Sequence, residues 1–280
     1  MTNTIPTIDA GAITLRPLQN EEFQRFKELL YDGFGIDLRH GKAELVSARL
    51  GKKIRELGFR TYSQYFDYVT GQRESTALRD MVDLLTTNHT SFFREPDHFK
   101  LFQKLLAQQK LSRTQVKIWC AASSTGEEPY SLAMTAIGEM GLGRVQITAT
   151  DLSTRVLKAA EIGIYAADRI TGIPDDLLRK YFLRGEGKSA GFFRVKPAVA
   201  THVKFHRLNL VEPYTHSSVF SMIWCRNVMI YFDKPTQERV VHRLCEWLEP
   251  GGYLFIGHSE ALNGVSHSLK YIQPAVYRKP

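Results

Sequence analysis

Two rhythms of apolar and polar positions divide the chain. From about Leu18 to Leu85 the apolar residues recur at helical spacing and no run reads as a strand. QNEEFQRFKELLYDGFG opens at Asn20, a capping-type residue, sets Phe23, Phe26 and Leu30 on one face and ends on Gly33 and Gly35. KAELVSARLGKKIRELGF repeats the pattern with Ala43, Val46, Leu50, Ile54 and Leu57, and TYSQYFDYVT and LRDMVDLLTTN supply two more segments. About four helices are predicted, hence a small all-helical module. From Lys117 the grammar becomes short β-rich runs alternating with amphipathic stretches, which predicts a parallel sheet with helical crossovers. VKIWCAAS, QITATD, HVKFHRLNL, FSMIWCRN and GYLFIGHS read as strands, and YIQPAVYRK as the last one. EEPYSLAMTAIGEMG, STRVLKAAEIG capped by Ser153, and PTQERVVHRLCEWLEPGG read as helices, the third opening with Pro235 and stopping at Pro250, Gly251 and Gly252. YFLRGEGKSAGFFRVKPAV interrupts the alternation, with Gly185, Gly187 and Gly191 between aromatic runs, so a small antiparallel β insertion is expected at about 170–202. The expected organisation is a helical domain over 12–86, a joining segment over 87–112 and an α/β domain over 113–280.

Composition narrows the class without naming a chemistry. With 43% hydrophobic and 24% charged residues among 280, the chain is an ordinary globular one, and no apolar run approaches the roughly 18 residues of a membrane span. MTNTIPTIDAGAITLRPL lacks the basic region, apolar block and cleavage site of a secretory signal, so a cytoplasmic location is expected. Cys120, Cys225 and Cys245 are too widely spaced for a zinc site and odd in number for a disulfide framework; reduced core residues and no metal are expected. The net charge of +8 leaves nucleic acid, an acidic membrane surface and an acidic protein open as partners.

An open parallel sheet binds its ligand outside the carboxyl ends of its strands. The first such place is AASSTGEEPYS, Ala121 to Ser131, where small residues lead into a helix start. Neither the dinucleotide fingerprint nor a phosphate loop ending in Gly-Lys-Ser/Thr is present, and Glu127 and Glu128 would repel a pyrophosphate. A ligand without phosphates and with a cationic part fits better. Asp151 ends the second strand, about 25 residues past Gly126, where a carboxylate commonly takes ribose hydroxyls; a simple strand-end cap is the alternative. Asn209 and Asn227 end two later strands, each offering donor and acceptor atoms. Together these point to an adenosine pocket, and adenosine with a cation and no phosphate points to S-adenosylmethionine.

TTNHTSFFRE from Thr86, AASSTGEEPYS, ATDLS from Ala149, CRNVMIYFD from Cys225 and LEPGGYLFIGHSE from Leu248 closely resemble the chemotaxis receptor methyltransferases, the CheR family. The likeness covers nearly the whole chain. It implies a Rossmann-like class I methyltransferase sheet with a helical N-terminal receptor-docking domain and a β insertion. It also implies transfer of a methyl group from S-adenosylmethionine to glutamate carboxylates on receptor signalling helices, releasing S-adenosylhomocysteine. Cofactor residues implied by the resemblance are Asn88, Thr90, Arg94, Glu128, Asp151, Asn209 with Leu210, and Asn227 with Val228. Glu128 suits the amino group or the sulfonium, Asp151 the ribose, Asn209 and Leu210 the adenine edge, and Asn227 and Val228 the methionine part. A glutamate is already deprotonated at neutral pH, so no strong base is needed. Arg94 and Tyr231 are the catalytic candidates, Arg94 to hold the substrate carboxylate and Tyr231 to add a hydrogen bond; a loop brace and a core ring are the respective alternatives.

The first 86 residues balance 12 basic against 12 acidic side chains, yet Arg39 to Arg60 carries seven cations against Glu44 and Glu56. Arg49, Lys52, Lys53 and Arg55 fall opposite or beside the Leu50 and Ile54 stripe, either as a solvated face or as the dock for acidic receptor helices. The insertion from Arg184 to Arg194 presents strand edges to which a receptor C-terminal peptide could add, a tether used by some members of the family and not by others. A monomer is expected. Nucleic acid is disfavoured as substrate, since the fourth-strand motif reads CRNVMIYF and no Pro-Pro occurs. A noncatalytic binding module is the other alternative.

Overall fold

A computed structural model describes residues 14–38, 41–71, 76–86, 89–109 and 115–280, and the chain forms two compact units, Met1–Thr87 and Asn88–Pro280. Among the described residues the first unit holds four helices, α1 (Asn20–Phe34), α2 (Ala43–Glu56), α3 (Tyr62–Thr70) and α4 (Thr76–Leu85). Phe23, Phe26, Leu30, Val46, Leu50 and Ile54 are buried as their spacing predicts. Two local expectations change. Gln19, not Asn20, is the cap of α1: Glu22 accepts from the Gln19 backbone N–H at 3.0 Å and also from Ser63 N–H and Oγ at 2.9 Å. Burial pushes the Glu22 carboxyl up, but these bonds and Arg16 bring it below the ordinary range. Leu57 leaves the α2 stripe because it is the C-cap residue, and it is 39% exposed.

The second unit begins with α5 (Pro96–Gln109) and continues β1 (Val116–Cys120), α6 (Glu127–Met140), β2 (Val145–Asp151), α7 (Thr154–Ile162), β3 (Ile164–Ala166), α8 (Asp175–Tyr181), β4 (Phe182–Arg184), β5 (Phe192–Val195), α9 (Pro197–Ala200), β6 (Val203–Arg207), β7 (Phe220–Trp224), α10 (Lys234–Trp247), β8 (Leu248–Phe255), β9 (Lys270–Gln273) and β10 (Val276–Arg278). Seven strands form one sheet in the order β6-β2-β1-β7-β8-β10-β9, parallel from β6 to β8. VKIWC, buried except at Lys117, and the fully buried FSMIW occupy its centre, as strands covered on both faces are predominantly apolar. Trp224 stacks on Phe255 at 4.4 Å between ring centroids.

Three strand-level expectations are corrected. YIQPAVYRK is a hairpin, β9 and β10, running antiparallel to each other, because Pro274 has no N–H for a ladder and Ala275 takes the left-handed φ of 61°. The helix PTQERVVHRLCEW ends at Trp247, and β8 already runs through Pro250, Gly251 and Gly252 rather than starting after them. The insertion is the three-stranded antiparallel sheet β3-β5-β4 and starts at Ile164, earlier than about 170, because only pairing with β5 turns the three residues after Gly163 into a strand. Ser153 caps α7 as expected, accepting from the Val156 N–H at 3.2 Å.

Candidate functional site

The register of the sheet brings its strand ends level. Cys120 lies beside Ala149 and Trp224, and Trp224 beside Phe255. The loops that follow β1, β2, β6, β7 and β8 therefore emerge along one edge, where open α/β sheets hold ligands. Among the described residues five non-glycine positions have positive φ, and four of them, Phe93, Glu95, Ser124 and Asn227, belong to these loops or to the segment before α5. Left-handed backbone at ordinary residues persists only where surrounding contacts impose it, and it gathers at functional sites.

After β1 the chain is pinned in two places. Ser123 N–H donates to Thr150 O at 2.9 Å, and Gly126 N–H to Ser123 O at 3.0 Å. Gly126 has a φ of 97°, and a Cβ there would meet the Tyr165 hydroxyl at 2.8 Å and Ala160 Cβ at 2.9 Å, so only glycine fits under the insertion. Tyr165 in turn donates to Thr125 O at 2.8 Å, and Arg169 pairs with Glu127, which is fully buried. Asp151 ends β2 with both oxygens held by backbone, Oδ2 accepting from Ser124 N–H at 2.8 Å and Oδ1 from Ser153 N–H at 3.0 Å. It stays half-buried, so the carboxylate is aimed and still reachable.

The centre of the site is a charge cluster. Arg226, just past β7, is 3% exposed. It pairs with Glu128 through Nη1, and its Nη2 reaches Glu95 Oε2 at 2.8 Å and the Arg94 carbonyl at 2.9 Å. Cys120 Sγ contacts the other Glu128 oxygen at 3.4 Å. Burial raises Glu95, but the charge and hydrogen bond of Arg226, with the His258 N–H, bring its carboxyl below the ordinary range. Glu95, His98 and His258 have donor atoms within 4.8 Å of one another. Arg226 pairs with the shared Glu95 oxygen, and the His98 imidazole is lowered to about 4, mainly by burial and then by Arg226.

The other residues predicted from sequence lie in the segment before α5 and in the loops after the strands. Arg94 donates Nη1 to His89 O at 3.0 Å, and its segment is anchored by Phe93 N–H on Ser131 Oγ at 2.9 Å. Thr90 is half-buried; Asn88 lies outside the described residues. Asn227 N–H donates to Glu260 Oε2 at 2.8 Å, and the same oxygen accepts from Gly257 N–H at 2.6 Å. Val228 and Tyr231 pack half-buried against the apolar cluster that contains Met229 and Phe232. Asn209 is 6% exposed, with Nδ2 on Glu212 at 2.9 Å and Oδ1 accepting from Val211 N–H at 3.3 Å, while the Leu210 carbonyl accepts from Arg243. Asn209 thus braces its own turn as well as lining an open groove of about 540 Å³.

Arg226, Glu95 and Glu260 carry much of this geometry and had no assigned role in the sequence reading. One signal was present: an arginine directly after the mostly apolar FSMIWC sits at the end of a buried strand, and a buried arginine requires acids. The two acids of the turn also act differently from expectation. Each has its own arginine, Arg169 for Glu127 and Arg226 for Glu128, so their repulsion of a pyrophosphate is weaker than the bare sequence implies.

What argues for S-adenosylmethionine is the donor set that remains. Glu128 and Glu95 outnumber Arg226 by one negative charge, Asp151 presents a second carboxylate, and the buried Ser123 Oγ has no hydrogen-bond partner. Acids and a free hydroxyl on small-residue backbone suit a cationic nucleoside. Sheet order, terminal antiparallel hairpin and this donor set define a class I S-adenosylmethionine-dependent methyltransferase. Residues 88–277 match the CheR methyltransferase, SAM binding domain, and residues 21–86 the CheR methyltransferase, all-alpha domain. The chain belongs to the CheR methyltransferase family. It is 41% identical over 260 residues to chemotaxis protein methyltransferase 2 of Pseudomonas aeruginosa, covering 92% of each chain. It is 40% identical to the Escherichia coli chemotaxis protein methyltransferase over 87% of this chain and 85% of that one. The Salmonella typhimurium enzyme of the same name is 36% identical over 99% and 98%. No described helix is long and apolar enough to cross a membrane.

Proposed function

We propose that this chain methylates the side-chain carboxylates of specific glutamates on chemoreceptor signalling helices, giving methyl esters in the adaptation step of a chemotaxis or related chemosensory pathway. The observation that carries this reading is the full-length similarity, over both modules, to chemotaxis protein methyltransferases. S-adenosylmethionine, when bound, supplies an electrophilic methyl group, and its transfer to an ionised carboxylate moves no proton. Glu128 receives the amino group, Asp151 the ribose hydroxyls, and Asn209 with the Leu210 backbone the adenine edge. Asn227 and Val228, held by Glu260, border the methionine part, and Asn88, Thr90 and Arg94 are further cofactor residues. Arg94, braced by His89, orients the incoming glutamate, and Tyr231 closes the wall beside it. Alignment and exclusion of water lower the barrier. No metal enters this scheme, and the working unit is a monomer.

Receptor helices dock on α2, where Lys52 and Arg55 are exposed and Lys53 is half-buried; Arg49 is tied to Leu85 O at 2.6 Å and contributes mainly by position. The outer edges of β3 and β4 have no strand partner among the described residues, and Leu183 and Phe192 are 48% and 47% exposed beside them, which suits a receptor C-terminal peptide added as a strand. With labelled methyl donor, alkali-labile label is expected on receptor cytoplasmic fragments and none on DNA or RNA; base-stable label on nucleic acid would overturn the assignment. Reversing Lys52, Lys53 and Arg55 together to Glu is expected to cut receptor methylation at least tenfold at low salt and leave cofactor affinity unchanged. An equal loss of cofactor binding would contradict docking by α2.

A further inference from the structure

Arg226 occupies an expensive place. A guanidinium at 3% exposure has given up its water, and apolar residues of similar volume commonly stabilise a fold as well or better than a buried ion cluster. Its contacts go to groups from three separate chain segments. Nη1 meets Glu128 at the start of α6; Nη2 meets Glu95 Oε2 at 2.8 Å and the Arg94 carbonyl at 2.9 Å, both in the segment before α5; the guanidinium carbon lies 5.3 Å from the Trp224 ring centre at the end of β7. With Cys120 on the opposite oxygen at 3.4 Å, the Glu128 carboxylate is gripped from both sides. Two carboxylates face one arginine, so the cluster is balanced only when one further cation joins it.

From this geometry we infer that Arg226 is a positioning residue for cofactor binding: it aims the Glu128 carboxylate at the ligand's ammonium group and, through the Arg94 carbonyl, keeps the substrate-facing loop in step with that carboxylate. The inference rests on the reading that Glu128 receives the cofactor's amino group. The groups facing the pair are Cys120 from β1, Cys225 after β7, Glu95 from the segment before α5, His98 in α5, and His258 after β8; Cys120 and Cys225 are pushed up, first by burial, and stay neutral thiols. Arg226 is therefore the cation shared by the buried Glu128 and the half-buried Glu95. Without it, two carboxylates share one dry site, and one of them takes up a proton at a higher pH.

The probe is S-adenosylhomocysteine, titrated calorimetrically against the full chain between pH 6 and pH 8.5. Wild-type affinity is expected to be nearly flat over that range. R226Q is expected to bind about 10- to 100-fold more weakly at pH 6 and to recover most of the deficit by pH 8.5, as Glu128 ionises again; R226K is expected to restore the flat profile. A loss of the same size at every pH, or no loss, would overturn the inference in favour of a purely structural role. Should R226Q not fold, E128Q and E128D decide in its place: E128Q is expected to bind at least about tenfold more weakly with E128D restoring part of the loss, and unchanged affinity in E128Q overturns the inference. Wild type that ignores S-adenosylhomocysteine would instead sink the cofactor reading itself.

Discussion

Asp151→Asn is expected to weaken S-adenosylhomocysteine binding by about 100-fold and to lower the melting temperature by only a few degrees. The carboxylate accepts from Ser124 N–H at 2.8 Å and from Ser153 N–H at 3.0 Å. An amide keeps one acceptor and sets an NH2 against the other backbone donor. Each hydrogen bond to a charged acceptor contributes about 1.5–3 kcal/mol. Losing one loop contact and a charged ribose acceptor therefore sums to about two powers of ten in affinity, at about 1.4 kcal/mol for each. The fold survives because the same loop is held independently by Ser123 N–H on Thr150 O and by Gly126 N–H on Ser123 O. The alternative, that Asp151 is only a strand-end cap, makes the opposite forecast: a clear drop in unfolding free energy with the dissociation constant unchanged. Calorimetry and urea unfolding on the same preparation separate them.

Gly126→Ala is expected to lower the unfolding free energy by about 2–5 kcal/mol. A left-handed φ of 97° costs an alanine about 1–2 kcal/mol, and overpacking adds about 1–3 kcal/mol. The added Cβ meets the Tyr165 hydroxyl at 2.8 Å, Ala160 Cβ at 2.9 Å and Ala160 Cα at 3.2 Å, so α7 and β3 must both give way. Combining it with Tyr165→Phe should recover part of the loss, since the nearest clash disappears, but not the contacts to Ala160. An unfolding midpoint for Gly126→Ala within about a degree of wild type would mean that the turn is not held under the insertion. Cofactor affinity should fall with it, because the same turn carries Ser124 to Asp151.

Much of this was legible beforehand for a simple reason. Apolar periodicity reports which face of an element is buried, so Phe26, Leu30, Leu50 and Ile54 in the helical unit and VKIWC and FSMIW in the sheet could be read directly. The order of strand-end polar residues along the chain was also visible, because each follows its own apolar run. What was not visible is pairing between distant segments. Pro274 was the one local sign that YIQPAVYRK holds two strands rather than one, and the turn at Pro274 and Ala275 takes hold once β8 offers an edge to β10. The early start of the insertion is likewise set by β5 pairing with Ile164–Ala166.

The site follows the same division. In the sequence alone, strand-end polar residues without a glycine-rich phosphate loop pointed to S-adenosylmethionine, and the resemblance of five spaced motifs pointed to the CheR family. Only the tertiary structure decided which charges meet: that Arg169 reaches Glu127, that Arg226 joins Glu128 to Glu95, and that Glu260 holds the Asn227 turn. Partners 42, 98 or 33 residues apart leave no periodic trace. Dehydration makes each of these charges costly unless matched, and that match exists only when the loops have converged at one edge of the sheet.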